Sequence, residues 1–396
     1  MDVAHILSVC PLTATASLGD DVQAYFQLDD DIIHLNHAAV APWPFPTAQA
    51  VMAFAEENAR QGSIDYDRWL LREKELRHRL AQMINAASPD EIAILKSTSE
   101  GLSLIAYGLP WSPGDNIVIP AEEFPSNRIV WQSLAGLGVE TRLIPITQAK
   151  DPEQALLDAI DARTRLLSSS SVQYATGLRL DLRRLGQGCR QSGVLFCVDA
   201  IQSIGALQFD VQAFQADFVV ADGHKWMLGP EGTALFYCRQ ELIDTLALKQ
   251  YGWHMVQHAA DYDRKAWQPH ETAQRFECGS PNMTGITALD ASLGLLLDIG
   301  MASVEKQVLE QTGYLRERLS ELKNIDILSP QHDARRAGIV LFRRTDADTE
   351  ALYRYLQKHR VLCAMRGGGV RFSPHFYTPC SKIDAAVALV DRFSSD

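Results

Sequence analysis

Between about residues 90 and 240, short apolar runs alternate with segments of helical periodicity. That is the pattern of a mainly parallel β-sheet flanked by helices. Seven runs predict strands at 92–95, 116–119, 140–144, 165–169, 194–198, 218–221 and 233–238. Between them, 100–108, 126–136, 153–162 and 182–191 predict helices, the last opened by Asp181 as a capping residue. Upstream, 47–85 is rich in Ala, Glu, Arg and Leu and predicts two helices broken at Gly62-Ser63, placed to cover the sheet edge or a partner subunit. Downstream, helical stretches at 286–299 and 303–322 lead into a smaller α/β unit. Its strands are expected at 338–342, 361–365 and 370–373, with a helix at 348–359 and a terminal helix from about 382. A chain of 396 residues exceeds what one core usually holds. The expected division is an N-terminal extension at 1–30, a large domain at 31–295 and a small C-terminal domain at 296–396.

Composition narrows the class without naming it. The hydrophobic fraction of 46% and charged fraction of 22% are those of an ordinary globular protein. A net charge of −12 argues against nucleic acid as the main partner. Cys10, Cys189, Cys197, Cys238, Cys278, Cys363 and Cys380 are scattered and odd in number, with no C-x-x-C pair, which favours reduced thiols over disulfides or a metal site. No Lys or Arg precedes the apolar stretch in residues 1–18, and no run of eighteen apolar residues occurs. The expectation is therefore a soluble, cytoplasmic protein with no membrane partner.

The chemistry concentrates in two strand ends. Phe218-Val-Val-Ala-Asp-Gly-His-Lys225 delivers one lysine into a glycine-rich turn directly after an apolar strand. A lysine attacks a carbonyl only as the neutral amine, and a desolvated pocket produces that form. Val194-Leu-Phe-Cys-Val198 ends in Asp199, a partner suited to a protonated pyridine nitrogen, although an aspartate there also suits a helix cap. After the strand 92–95, Lys96-Ser-Thr-Ser-Glu100 opens a helix with Ser97 and Glu100 at capping-box spacing. Free N–H groups at that end, with the hydroxyls of Thr98 and Ser99, suit a phosphate. Together these features point to pyridoxal phosphate.

The pattern resembles the class V aminotransferase family of fold type I pyridoxal-phosphate enzymes, which includes cysteine desulfurases, selenocysteine lyases, isopenicillin epimerase-like proteins and kynureninases. The resemblance covers about residues 31–395. It implies an α/β three-layer sandwich with a mainly parallel seven-stranded sheet and a smaller C-terminal α/β domain. Asp222-Gly-His-Lys225 resembles the family's lysine motif, which implies a Schiff base between Lys225 and the cofactor, with His224 near the phosphate. Val198-Asp-Ala-Ile-Gln-Ser203 implies Asp199 at the pyridine nitrogen and Gln202 at the phenolic oxygen. Ser97-Thr-Ser-Glu100 resembles the phosphate loop, implying Thr98 and Ser99 as phosphate ligands. Arg275-Phe-Glu-Cys-Gly-Ser-Pro-Asn282 is similar to the segment whose hydroxyl reaches the neighbouring subunit's phosphate, which implies a homodimer with Ser280 crossing its interface. Val370-Arg-Phe-Ser-Pro-His-Phe-Tyr377 implies Arg371 as the grip on an amino-acid carboxylate. His34-Leu-Asn-His-Ala-Ala-Val-Ala-Pro42 resembles the segment that lines the family's substrate side, which implies Asn36 and His37 as substrate contacts; Trp253 and His254 are weaker candidates that dimer packing also explains.

The departures bear on the reaction. Phe124 falls where desulfurases carry a ring-stacking histidine, Tyr174 where they have an asparagine, and Asp222 where they have a phosphate-binding serine. An aspartate would repel the phosphate, so Asp222 is expected to point elsewhere. Desulfurases also carry, before the carboxylate-binding arginine, a loop with the cysteine that attacks sulfur; here only Arg366-Gly-Gly-Gly369-Val370 stands there, and a turn that small is expected to admit a larger substrate. Cys363 is expected to be structural. The reading is an enzyme acting on an amino acid by transamination or C–S lyase chemistry, then epimerisation, then cysteine desulfuration. A cofactor-binding regulatory module would need a DNA-binding extension, and residues before Ile32 hold no Lys or Arg.

Overall fold

A computed structural model describes residues 20–394; Cys10 and most of the expected 1–30 extension lie outside the described residues. The strands in chain order are β1 (Ile33–His34), β2 (Ile92–Leu95), β3 (Asn116–Pro120), β4 (Glu140–Ile144), β5 (Thr164–Ser170), β6 (Leu195–Asp199) and β7 (Phe218–Asp222). They continue as β8 (Ala234–Cys238), β9 (Ile325–Ile327), β10 (Val340–Arg344), β11 (Val361–Leu362), β12 (Ala364–Arg366) and β13 (Gly369–Phe372). Seven of them form one sheet in the order β2-β8-β7-β6-β5-β3-β4, with β8 antiparallel to both neighbours and the other pairings parallel.

Every residue of β3, β7 and β8 is buried, which is why these strands read as unbroken apolar runs rather than alternating ones. The sheet is covered on both faces. Along β7, Val219 faces a core built with Leu76, Leu80 and Leu289, while Phe218 and Val220 face the opposite core with Leu102, Ile105 and Trp131. Two cores on alternate residues of one strand make three layers. The helices Phe45–Gln61 and Tyr66–Met83 pack on Met283–Ile299 in the first layer. In the other, helix Thr98–Gly108 lies so close to the sheet that a Cβ on Gly101 would sit 2.7 Å from Val220 Cγ1.

A second sheet, β12-β13-β10-β9, is antiparallel and carries its own core of Phe342, Leu352, Val370, Phe372 and Val387. β1 pairs with β11, so Ile33 and Leu35 join this third core. The expected strand 361–365 is divided: β11 pairs with β1 and β12 with β13, and the chain changes sheets at the buried Cys363. Among the described residues, no single helix is long and apolar enough to cross a membrane.

Candidate active site

The carboxyl ends of β2, β6 and β7 open onto one cavity of about 320 Å³. Open α/β sheets place ligands there because loops and helix N-termini converge at that edge. The turn after β7 is closed by Gly229 N–H donating to Gly223 O at 2.9 Å, and it buries Lys225. Nζ lies 5.6 Å from the centroid of the Phe124 ring. Burial pulls the Lys225 pKa down to about 8; Asp199 opposes the shift, and Arg371 and Arg366 add to it. An amine held near neutrality in this way is available as a nucleophile and proton acceptor.

Asp199 ends β6, buried, with Oδ1 accepting from Ile201 N–H at 3.2 Å. Burial raises its pKa to about 6, the Ile201 hydrogen bond and Lys225 lowering it and Asp222 raising it. A cation against this carboxylate would restore its charge. Gln202 is fixed at both ends of its amide: Nε2 donates to Ala38 O at 3.0 Å and Oε1 accepts from Trp226 Nε1 at 2.9 Å. One Nε2 proton remains for a ligand. Arg371, 2% exposed, donates from Nη1 to Tyr174 O at 2.5 Å, and burial brings its pKa to about 10. Tyr174 and Phe124 stand edge to face with centroids 5.2 Å apart.

Four polar atoms of this cavity's lining are buried without a hydrogen-bond partner: Thr98 Oγ1, Asp222 Oδ1, His224 Nδ1 and Arg371 Nε. Buried polar groups are nearly always paired, so four orphans in one place fit a polar, charged ligand. The helix beginning at Thr98 offers its free N–H groups beside the first of them. The residues present therefore fit pyridoxal phosphate.

Several expectations are corrected. Asp222 does not point away: it lines the cavity, Oδ1 lying 3.0 Å from His224 Nδ1 without the alignment of a hydrogen bond. His37 is excluded from substrate contact because both ring nitrogens are engaged in a buried cluster, Nδ1 with Ser373 O at 2.8 Å and Nε2 with the Tyr377 hydroxyl at 2.6 Å. Ala38 and Ala39 line the cavity in place of Asn36 and His37. Ser97 accepts from Glu100 N–H at 3.2 Å as a cap, but Glu100 returns its carboxylate to Lys96 N–H at 2.7 Å rather than to Ser97, so the box is displaced by one residue. Ser99 lines the cavity while donating to Ser126 Oγ at 2.8 Å.

Ser280 is exposed and stands apart from Lys225, in a second cavity with Gly232 and Asn282; it accepts from Trp253 Nε1 at 3.3 Å. His254 is buried between Glu73 and Glu277, which Arg77 also bridges at 2.8 and 2.5 Å. The two carboxylates raise the His254 pKa against its burial. That network fastens the 251–282 segment to the helix Tyr66–Met83, away from the cavity.

Sequence reasoning passed over Glu123. It is buried, accepts from Ser170 N–H at 2.6 Å and Ser170 Oγ at 2.5 Å, and so ties the loop carrying Phe124 to the end of β5. Burial raises its pKa to about 7. A carboxyl with a raised folded pKa costs stability above that pKa, and the cost is relieved as pH falls from about 7 towards the unfolded value of 4.5. Glu123→Gln keeps the acceptor and removes the charge, so the cofactor-free variant should melt higher than wild type at pH 8 and the gap should close near pH 5, measured by calorimetry.

A lysine and an aspartate on adjacent strand ends of this sheet, beside a helix N-terminus, define a pyridoxal-phosphate enzyme of fold type I. The chain belongs to the class V aminotransferase family, whose model, "Aminotransferase class-V", matches residues 33–377. Its cofactor is pyridoxal phosphate. The chain is 30% identical to a "Probable cysteine desulfurase" of Methanothermobacter thermautotrophicus, covering 92% of this chain and 95% of that protein. It is 31% identical to a "Cysteine desulfurase" of Cronobacter sakazakii over 67% of this chain and 66% of that one. The fold matches a cysteine desulfurase of Thermococcus onnurineus NA1 with a TM-score of 0.81 at 24% identity, covering 91% of this chain and 94% of that one. It also matches the cystine C–S lyase C-DES, solved with its product cysteine persulfide, with a TM-score of 0.86 at 24% identity, covering 92% and 99%.

Proposed function

We propose that the protein is a carbon–sulfur lyase that releases sulfur from a cysteine-derived amino acid without passing it to a cysteine of its own. The observation that carries this reading is the tight turn between β12 and β13, which holds glycines and no thiol where a sulfur-accepting loop would stand. Among the described residues no cysteine lines the Lys225 cavity. Cys363 is buried and its thiol is pushed up to about 12 by that burial, which makes it inert. The desulfurase relatives favour sulfur chemistry, and nothing comparable favours transamination or epimerisation.

When bound, pyridoxal phosphate supplies an electron sink for the pair released at the substrate's α-carbon. Thr98, Ser99, His224 and the free N–H groups of the helix N-terminus would hold its phosphate. Phe124 would cover one face of the ring, Asp199 would keep the ring nitrogen charged, and the free Nε2 proton of Gln202 would serve the phenolic oxygen. Arg371 binds the substrate carboxylate with a forked pair of hydrogen bonds, and Tyr174 walls the same side. Lys225 Nζ takes the α-proton. The Cβ–S bond breaks with its electron pair on sulfur, and water converts the released enamine to keto acid and ammonium. A homodimer completes each site with the partner's copy of Ser280. A large domain takes most of 31–295 and a small one 296–396, with the Ile33–Leu35 segment packed on the small one, and residues of both line the cavity.

The test is a panel of sulfur amino acids followed for keto acid, sulfide, alanine and α-proton exchange. Keto acid and soluble sulfur species in equal amounts are expected, and Cys363→Ala should retain activity within about twofold, as a buried thiol without a chemical role would. Alanine release with persulfide trapped on the protein would overturn the reading.

A further inference from the structure

Arg371 has a companion. In the β12–β13 hairpin, Ala364 pairs with Arg371 and Arg366 with Gly369. Residues opposite one another across an antiparallel pair share a face, as do residues two apart along a strand. Arg366 and Arg371 therefore project from one face as diagonal neighbours, separated by about 7–8 Å at the backbone. Met365 and Val370 take the other face. Both arginines line the cavity that holds Lys225.

The hairpin holds this spacing firmly. Gly367 and Gly368 turn the chain at φ of 50° and 77°, conformations that side chains other than glycine resist. A Cβ on Gly369 would fall 2.5 Å from Phe342 O, so the hairpin is pressed against β10. Among the described residues neither guanidinium meets a carboxylate. Arg371 donates to Tyr174 O at 2.5 Å and Arg366 to Met365 O at 2.8 Å, which leaves most of the ten N–H donors of the pair free. Two like charges at this distance repel, and the proximity of Arg366 is, after burial, the next cause of the lowered Arg371 pKa. One substrate carboxylate satisfies Arg371. It leaves Arg366 unmatched.

We infer that Arg366 is a specificity residue that binds a second carboxylate, at the far end of the substrate, so that the site takes cysteine thioethers or disulfides ending in an acid in preference to neutral ones. This rests on the reading of Arg371 as the α-carboxylate site. The short turn sets the Arg366 charge on the lining of the cavity.

The test uses the holoenzyme and two substrates of similar size, S-carboxymethylcysteine and S-ethylcysteine, with dissociation constants read from the change in cofactor absorbance. Wild type should bind the diacid at least tenfold more tightly. Arg366→Gln should erase that preference while leaving S-ethylcysteine within twofold, and Arg371→Gln should weaken both. A wild type without preference, a preference that survives Arg366→Gln, no saturable binding of the diacid, or loss of cofactor from Arg366→Gln would each overturn the inference. Should the preference hold while neither compound yields keto acid, the lyase reading fails and the diacid subsite stands.

Discussion

Lys225→Ala is expected to lower kcat by about 10³-fold or more and to leave a protein that takes up pyridoxal phosphate only loosely and without the yellow of the wild type. The magnitude follows from removing both a nucleophile and a proton acceptor, each step of general acid–base catalysis alone contributing about 10²–10⁴-fold. The fold should survive, because the variant deletes a buried cation whose burial already lowers its pKa to about 8. Lys225→Arg separates charge from nucleophilicity: it keeps a cation near Asp199 but offers no neutral amine, so it should be as inactive as the alanine variant. The wild-type apo-protein should capture cofactor faster as pH rises towards about 8, since the amine is freed over that range. Borohydride reduction should fix the cofactor on Lys225 in wild type. Retained colour in Lys225→Ala, with borohydride labelling at another lysine, would remove Lys225 from its place in the site.

Much of this arrangement is legible in the chain because its chemistry sits at strand ends. β6 and β7 are runs of apolar residues that stop at Asp199 and Asp222, and the turn holding Lys225 begins one residue later. Strand, turn and reactive group are local in sequence, so pattern alone finds them. β1 and β9 escaped the pattern because two or three half-paired residues give no period to detect. The strand expected at 361–365 failed for another reason: an apolar run shows burial but not which sheet buries it, and Cys363 marks a change of sheet. His37 has the polarity of a substrate ligand, but its partners Ser373 and Tyr377 lie more than 300 residues away along the chain. Glu123 and Arg366 were missed alike. One is a second acid beside Glu122 and the other an arginine before three glycines, and only folding puts the first on Ser170 and the second beside Arg371.

Asp199→Ala is the other large loss to expect, a fall in kcat of about 10²–10³-fold with KM little changed. Removing one preorganised electrostatic partner costs about that much, and Arg371, which grips the substrate, is untouched. The isosteric Asp199→Asn should lose nearly as much, because an amide does not hold a proton on the ring nitrogen opposite it. In the cofactor-free chain the sign reverses. Burial raises the Asp199 pKa from 3.8 to about 6, so its ionisation opposes folding above pH 6, and the cost disappears as pH falls towards 3.8. Asp199→Asn apo-protein should therefore melt higher than wild type at pH 8, by an amount bounded by roughly 3 kcal/mol for a shift of about two units, and match it near pH 4. Loading with pyridoxal phosphate should cancel that advantage, because the ring cation returns to wild-type Asp199 the partner that burial denies it. An Asp199→Asn variant that is no more stable than wild type as apo-protein, yet equally active when loaded, would show that this carboxylate only fastens the turn at Ile201 and that the ring is held elsewhere.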